Sequence, residues 1–421
     1  MADVFTAVKP MLFVSKFIGL GPFYIDDEKK LFKVSIAGMV FSTIVLLLFG
    51  ANSGYTLYEK YLEKSKDGEA SYIGNATDVI LLAGGIAVTI CTILLTLIQR
   101  NKFCHVVQNF YEVSSEMAKL DIYIPYHNLL KYSQIQIVVL LIFIAILLIH
   151  DVFCLPNRQY YSGYRWVCYF LPNLYNFMME CQFISGALLL KKHFTSLNEC
   201  LMRFNEAEKV PVEDNKKIDV GINNNTWMEN FDSHMGPKIM DQSFTAWDGN
   251  FSRFRVRKVA PSDGSATLTQ ASLAKIKIFR KVHSSLCEIK EYLNSSFSLQ
   301  LLTSVAQAFV MITANLYMLF TTLSNTEKNG ASDLTYPIVW SLSHITELIF
   351  IVVTCTKTSK QANQTAVVVH KLLAKDCESD IRNQLKLFSI QLLHRKISFT
   401  ACGFFTLDMT LLQAVRTICS K

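Results

Sequence analysis

Six stretches of this chain are predominantly apolar for about 18 residues or more, four of them without a charge and two with a single glutamate inside, the length that crosses a lipid hydrocarbon core as a helix. They are Val34 to Tyr55, Val79 to Gln99, Tyr132 to Ile149, Trp166 to Leu190, Phe297 to Phe320 and Pro337 to Cys355. Charges mark their edges: Lys33 and Glu59 bound the first, Asp78 and Arg100 the second, Lys131 and Asp151 the third. Beyond three spans the apolar residues keep helical spacing: Phe194, Leu197, Leu201 and Phe204 after the fourth, Leu273 through Leu293 before the fifth, and Ile381, Leu385, Phe388 and Leu392 after the sixth. An apolar stripe that projects into water must be covered, here by the other stripes or by neighbouring subunits. Residues 10–25 are apolar but short and hold Lys16, which suits a segment at the membrane surface. The pattern predicts an all-α polytopic membrane protein. Its parts are an N-terminal segment (1–33), helices one to four (34–190), cytosolic helices (191–296) around a polar, disordered insert at 211–270, helices five and six (297–355), further cytosolic helices (356–403), and a start of a seventh helix (404–421).

Composition agrees: of 421 residues 51% are hydrophobic and 18% charged, and the mean hydropathy is +0.27, too apolar for an ordinary soluble protein. The formal charge of +7 does not point to nucleic acid, because the basic residues segregate by side. Leaving out the long insert-bearing connection, 17 lysines and arginines flank one side of the spans and 6 the other, which puts the N-terminus in the cytosol. The Asn75 sequon then faces outward and can be glycosylated, whereas those at Asn224, Asn250 and Asn363 lie inside. The eleven cysteines sit mostly in spans or cytosolic connections, so no disulfide framework is expected; Cys154 and Cys168 alone are near enough to the outer side to consider as a pair. Lys9, Lys16 and the Asp26–Lys30 charge run break up the N-terminus, and no cleaved signal peptide is expected.

Catalytic and phosphate-binding motifs are absent, and no cysteine or histidine cluster has metal-ligand spacing; neither an enzyme nor a metal or cofactor is expected. The residues that stand out are polar ones inside the spans. Tyr169, Asn173, Asn176 and Glu180 share one face of the fourth, and Trp340, His344 and Glu347 one face of the sixth. Gln307, Asn315 and Tyr317 join them from the fifth. Carboxylates are expensive in hydrocarbon, so these faces must point at protein or water. One reading is hydrogen bonding between helices. The other is a wet pocket open to the outside, whose aromatic and polar walls suit a polyol such as a sugar. The Thr89, Thr92, Thr96 stripe reads as packing. His370 and His394 need no special role.

Near the end stands Phe399-Thr-Ala-Cys-Gly-Phe-Phe-Thr-Leu-Asp408-Met-Thr-Leu-Leu412. It resembles the run entering the last transmembrane helix of insect gustatory receptors, whose pattern is Phe-Thr-Ala-x-Gly-Phe-Phe-x-Leu-Asp-x-x-Leu-Leu. The resemblance implies a tastant-gated, non-selective cation channel built as a tetramer, docked through its cytosolic helices, in the plasma membrane of chemosensory neurons. It makes Phe404, Phe405, Leu407, Asp408, Leu411 and Leu412 the start of the pore helix, with Asp408 as its cap. The sugar-receptor branch is the expectation; a bitter-type receptor, a G-protein-coupled receptor and a small-solute transporter are the alternatives, the latter two opposed by the charge sidedness and by the lack of an internal repeat. The family's closing Thr-Tyr and Gln-Phe signature is replaced by Gln413–Lys421, so an incomplete pore helix is expected. The implied partners are a small-molecule tastant, membrane lipid and other receptor subunits.

Overall fold

Long helices, several running well past the expected spans, carry the chain in the computed structural model, which describes residues 3–26, 28–64, 72–154, 163–207, 265–324, 331–375 and 378–413. In order these are α1 (Val4–Phe17), β1 (Phe23–Asp26), β2 (Leu31–Val34), α2 (Ile36–Lys64), α3 (Tyr72–Ile98), α4 (Arg100–Ala118), α5 (Tyr126–Cys154), α6 (Gly163–Ala207), α7 (Ser265–Ser324), α8 (Ala331–Leu373), α9 (Ser379–Leu393), β3 (Thr400–Ala401) and β4 (Phe405–Thr406). Both strand pairs are antiparallel. The apolar stripes that extend past the spans are continuous with them: α6, α7 and α8 are single helices of 45, 60 and 43 residues. Most of the expected insert at 211–270, with Asn224 and Asn250, lies outside the described residues, as do residues 414–421.

Among the described residues, five stretches are long and apolar enough to cross a membrane: Ile36–Leu62, Val79–Ile98, Tyr126–His150, Gln270–Ser324 and Leu334–Leu373. The expected fourth span, in α6, is not among them, because Asn173, Asn176, Glu180 and Gln182 dilute it. Packing explains how it tolerates them. α6 is in contact with α2, α3, α5, α7 and α8, so its polar face meets protein rather than lipid.

Outside the spans, the stripes are consumed within the chain. Leu286, Ile289 and Leu293 of α7 are 0–1% exposed, in one core with Phe194 and Leu197 of α6, Val369 of α8 and Leu385 and Phe388 of α9. Each such side chain stabilises that core by about 1.5–3 kcal/mol. Those residues are covered within the chain, and among the described residues the opposite face of α9 exposes Leu387, Ile390 and Leu393 together.

Two elements differ from the sequence expectation. The surface segment at 10–25 is the end of α1 followed by a hairpin: Phe23 and Phe32 are buried, and Phe23 stacks on Phe103 of α4 at 4.9 Å. The Asp26–Lys30 charge run makes its turn, with Lys29 N donating to Asp26 Oδ1 at 3.1 Å. The connection after the second span, to which the sequence pattern assigned no element, is the helix α4, whose Val106, Val107, Phe110, Val113 and Met117 are buried on one stripe.

The signature stretch is also not yet helix. Phe404 and Phe405 belong to the β3–β4 hairpin and Leu407 follows it; helix resumes at 409–413, which holds Leu411 and Leu412. The turn needs left-handed backbone at Cys402 (φ 51°) and Gly403 (φ 76°), which glycine supplies without strain. Asp408 caps the helix as expected, Oδ1 accepting from Thr410 N at 2.9 Å.

Candidate functional site

Two polar layers lie where α6, α7 and α8 meet. In the deeper one, Glu180 Oε1 accepts from Ser304 Oγ of α7 at 2.6 Å and from Asn176 Nδ2 at 3.0 Å. The same amide nitrogen stands 3.5 Å from Glu347 Oε2 of α8, and His344 Nδ1 lies 3.2 Å from that oxygen. Asn176 thereby ties α6 to α8, and Glu180 ties α6 to α7. All five side chains are at most 6% exposed.

Above this layer is a cavity of about 50 Å³. Tyr169, Asn173 and Asn176 line it from α6, Gln307 and Asn315 from α7, and Trp340 and His344 from α8. Glu180 and Glu347 do not line it; they lie behind Asn176 and His344. Tyr317 does not belong: it is 40% exposed and points elsewhere, although Asn315 two residues away turns inward. The two sequence readings of these faces, hydrogen bonds between helices and a lined pocket, therefore apply at different depths.

Sequence reasoning missed six contributors. Ser304, one turn before Gln307, is a small hydroxyl that the pattern did not single out, and Tyr336 lies one turn before Trp340 with its ring centroid 6.3 Å away. Gly84 and Gly85 of α3 admit the cavity's wall. A Cβ on Gly84 would collide with the Gln307 side chain, and one on Gly85 would come within 3.3 Å of Pro172. Met311 and Met318 complete the lining with side chains that adapt to the shape of an occupant. The Thr stripe of α3 is packing, as expected: Gln300 Nε2 of α7 donates to Thr92 O at 3.1 Å and Thr96 Oγ1 at 3.3 Å. Cys168 is a free thiol beside the cavity, held by Asn52 Nδ2 at 2.9 Å; the side chain of Cys154 lies outside the described residues.

Several buried atoms of this region find no hydrogen-bond partner on the protein: Asn176 Oδ1, Asn315 Nδ2, Trp340 Nε1, His344 Nε2 and Glu347 Oε1. Each would cost about 1–3 kcal/mol if left so. Four of the five belong to residues that line the cavity, and the fifth, Glu347 Oε1, lies behind His344.

Below, α7 is fixed to the signature hairpin. Thr400 N donates to Asn294 Oδ1 at 3.0 Å, and Ser298 Oγ donates to Thr400 O at 3.2 Å. Phe399, Ala401 and Leu407 are buried, with Leu407 N donating to Phe399 O at 2.9 Å. Asn363 of α8 grips the approach to the hairpin, accepting from Ile397 N at 3.0 Å and donating to Ile397 O at 2.9 Å. That is a structural use for one of the sequons expected to stay unmodified. Asn75 falls in the first turn of α3, its side chain outside the described residues.

Residues 8–220 and 247–415 match the family model described as 7tm chemosensory receptor. The chain belongs to that family. Among relatives of this 7tm chemosensory receptor, the Drosophila melanogaster protein named gustatory receptor 28b is 24% identical, over 97% of this chain and 82% of its own. The Drosophila melanogaster gustatory receptor for bitter taste 66a is 22% identical, over 99% and 88%. In fold the receptor is similar to the olfactory receptor OR5 of Machilis hrabei, solved alone and in complex with eugenol, with TM-scores of 0.62 and 0.61 at 10% identity, covering 98% of this chain and 94% of that one.

Proposed function

We propose that this receptor is a subunit of a tastant-gated cation channel of the plasma membrane of chemosensory cells, and that the α6–α7–α8 cavity receives the tastant. The orphaned polar atoms around that cavity are the observation that carries the reading. Gating fits the same elements. α7 bears cavity residues and, about 20 Å along its axis, the Asn294 and Ser298 contacts to the hairpin that leads into the last helix. A ligand that moves α7 moves that hairpin. Subunits dock through the exposed apolar face of α9. Sugars, expected from the sequence, and bitter compounds, suggested by the whole-length similarity to the bitter receptor 66a, are the two tastant panels to apply.

The test records agonist-evoked cation current from cells expressing the receptor with its last helix completed by the family's closing signature, with Trp340→Ala, Glu347→Gln and Gly84→Val alongside. Trp340→Ala and Glu347→Gln should weaken or abolish the response at unchanged surface expression. Gly84→Val should do the same by displacing Gln307. Wild-type dose–response curves for all three would refute the site.

A further inference from the structure

We infer that the cavity is built for the head group of an organic cation, a protonated amine, rather than for a neutral polyol; this rests on the proposed tastant site and names its ligand class. Glu180 and Glu347 approach each other from α6 and α8 until both carboxyls lie within 3.5 Å of one nitrogen, Asn176 Nδ2. The other donors to Glu180 are neutral: Ser304 Oγ is its second partner. Among the described residues no lysine or arginine lines the cavity, and the one basic side chain there is His344, already committed to Glu347. If His344 is charged it answers Glu347 alone, and Glu180 stays uncompensated. Two like charges in a water-poor site are mutually destabilising, and a cation held in the cavity, on the other side of Asn176 and His344, relieves both through the low-dielectric wall.

The geometry supplies the rest of an ammonium site. Asn176 Oδ1, on the cavity wall, is an acceptor without a partner and suits a donor of an N–H₃⁺ or N–H₂⁺ group, while Glu347 Oε1, also without a partner, stands behind that wall and adds its field. The rings of Tyr336, Trp340 and His344 follow one another along α8, with centroids 6.3 and 6.2 Å apart, and offer aromatic faces to a cation. Trp340 Nε1 and Asn315 Nδ2 are donors and suit an oxygen farther along the ligand. A volume of about 50 Å³ fits such a head group, while Met311 and Met318 give way to the remainder. A sugar would satisfy the donors and acceptors but leave the carboxyl pair as it found it.

The experiment compares matched probes on the whole chain, purified and held in lipid nanodiscs, by calorimetry at neutral pH. The probes are 2-phenylethylamine, its neutral isostere 2-phenylethanol, and fructose. The amine should bind saturably and at least about tenfold more tightly than the alcohol, the scale of one nearby charge at an intermediate dielectric. Glu180→Gln and Glu347→Gln keep size and hydrogen bonding and should shrink that preference to within about twofold, by the same arithmetic. Should either variant fail to fold, the amine-to-alcohol ratio on the wild-type chain decides. No saturable amine binding up to millimolar concentration overturns the inference. So does alcohol or fructose binding as tight as the amine; if that binding is lost in Trp340→Ala, the site survives and the ligand class falls. Binding of every probe indifferent to Trp340→Ala refutes the site as well.

Discussion

Asn294→Ala isolates the joint between α7 and the signature hairpin. The asparagine is buried, and its amide holds Thr400 twice: Oδ1 accepts from Thr400 N at 3.0 Å, and Nδ2 lies 3.4 Å from Thr400 Oγ1. Truncation removes both contacts and leaves the Thr400 N–H without its acceptor in a half-buried position. An orphaned donor of this kind costs about 1–3 kcal/mol. The rest of the hairpin keeps its anchors, since Phe399 and Leu407 stay in the core and Ser298 still reaches Thr400 O. The loss should therefore appear as local opening rather than global unfolding. Amide hydrogen exchange across residues 399–407 should accelerate by roughly 5- to 150-fold, since each 1.4 kcal/mol is a factor of ten. Asn294→Asp retains an acceptor for Thr400 N and should give a much smaller rise. Unchanged exchange in the alanine variant, or equal acceleration in both, would refute the hairpin's dependence on this side chain.

Two further perturbations probe other parts of the chain. Ile390→Glu with Leu393→Glu charges the exposed face of α9 and should reduce crosslinked oligomer without lowering the melting midpoint of the isolated subunit, since neither side chain belongs to its core; undiminished crosslinking argues against that docking face. Burial lowers His193 and His283, which lie on the extensions of α6 and α7 beyond the apolar runs Trp166–Leu190 and Phe297–Phe320, from the ordinary 6.5 to about 4, in His193 against the opposing Leu189 carbonyl and in His283 with help from Arg395. In that window the unfolded chain takes up protons that the folded chain refuses, so their contribution is level above about pH 6.5 and stability falls as pH drops toward 4, by up to about 3 kcal/mol per histidine. Melting midpoints measured against pH should fall less steeply in His193→Phe and His283→Phe than in the wild type; parallel slopes would exclude the two histidines as the cause.

The helices that face lipid or continue a periodic stripe were legible in the sequence because one physical demand, apolar cover, dictates their pattern. α7 is the clearest case, with Leu273 to Leu293 leading into the fifth span without a break. The oligomeric role of that stripe was not legible: periodicity states that Leu286 and Ile289 must be covered but not by what, and α6, α8 and α9 of the same chain cover them. α4 escaped notice because its apolar stripe is diluted by charge and its mean character is near neutral, and the β1–β2 hairpin because its pairs are short and its turn is a charge run rather than an Asn-Gly signal. At the site, helical spacing put Asn173, Asn176, Trp340 and His344 together correctly. It placed Tyr317 wrongly, since spacing within one helix does not say which face the neighbours leave open. Gly84 and Ser304 were invisible because their contribution is made by the partner that approaches them, Gln307 and Glu180.

The order of polar contacts along α7 gives the proposed gating a definite mechanical form. From the hairpin upward come Asn294 and Ser298 to Thr400, Gln300 to Thr92 and Thr96 of α3, Ser304 to Glu180 of α6, and then Gln307 and Asn315 at the cavity. The contacts below the cavity are side-chain hydrogen bonds worth about 0.5–1.5 kcal/mol each, more where a carboxylate takes part, and they go in turn to the hairpin, α3 and α6. A helix held only by apolar packing could rotate against its surroundings gradually. One held by discrete bonds at successive heights moves by exchanging them, which favours a small number of arrangements over a continuum. Ser304 is the first of these bonds below the cavity, and its acceptor, Glu180, is the carboxylate that an occupant of the cavity would influence through Asn176. Weakening that bond frees the middle of α7 while Asn294 and Ser298 still hold the hairpin, so displacement passes down the helix to Thr400 instead of being absorbed between them.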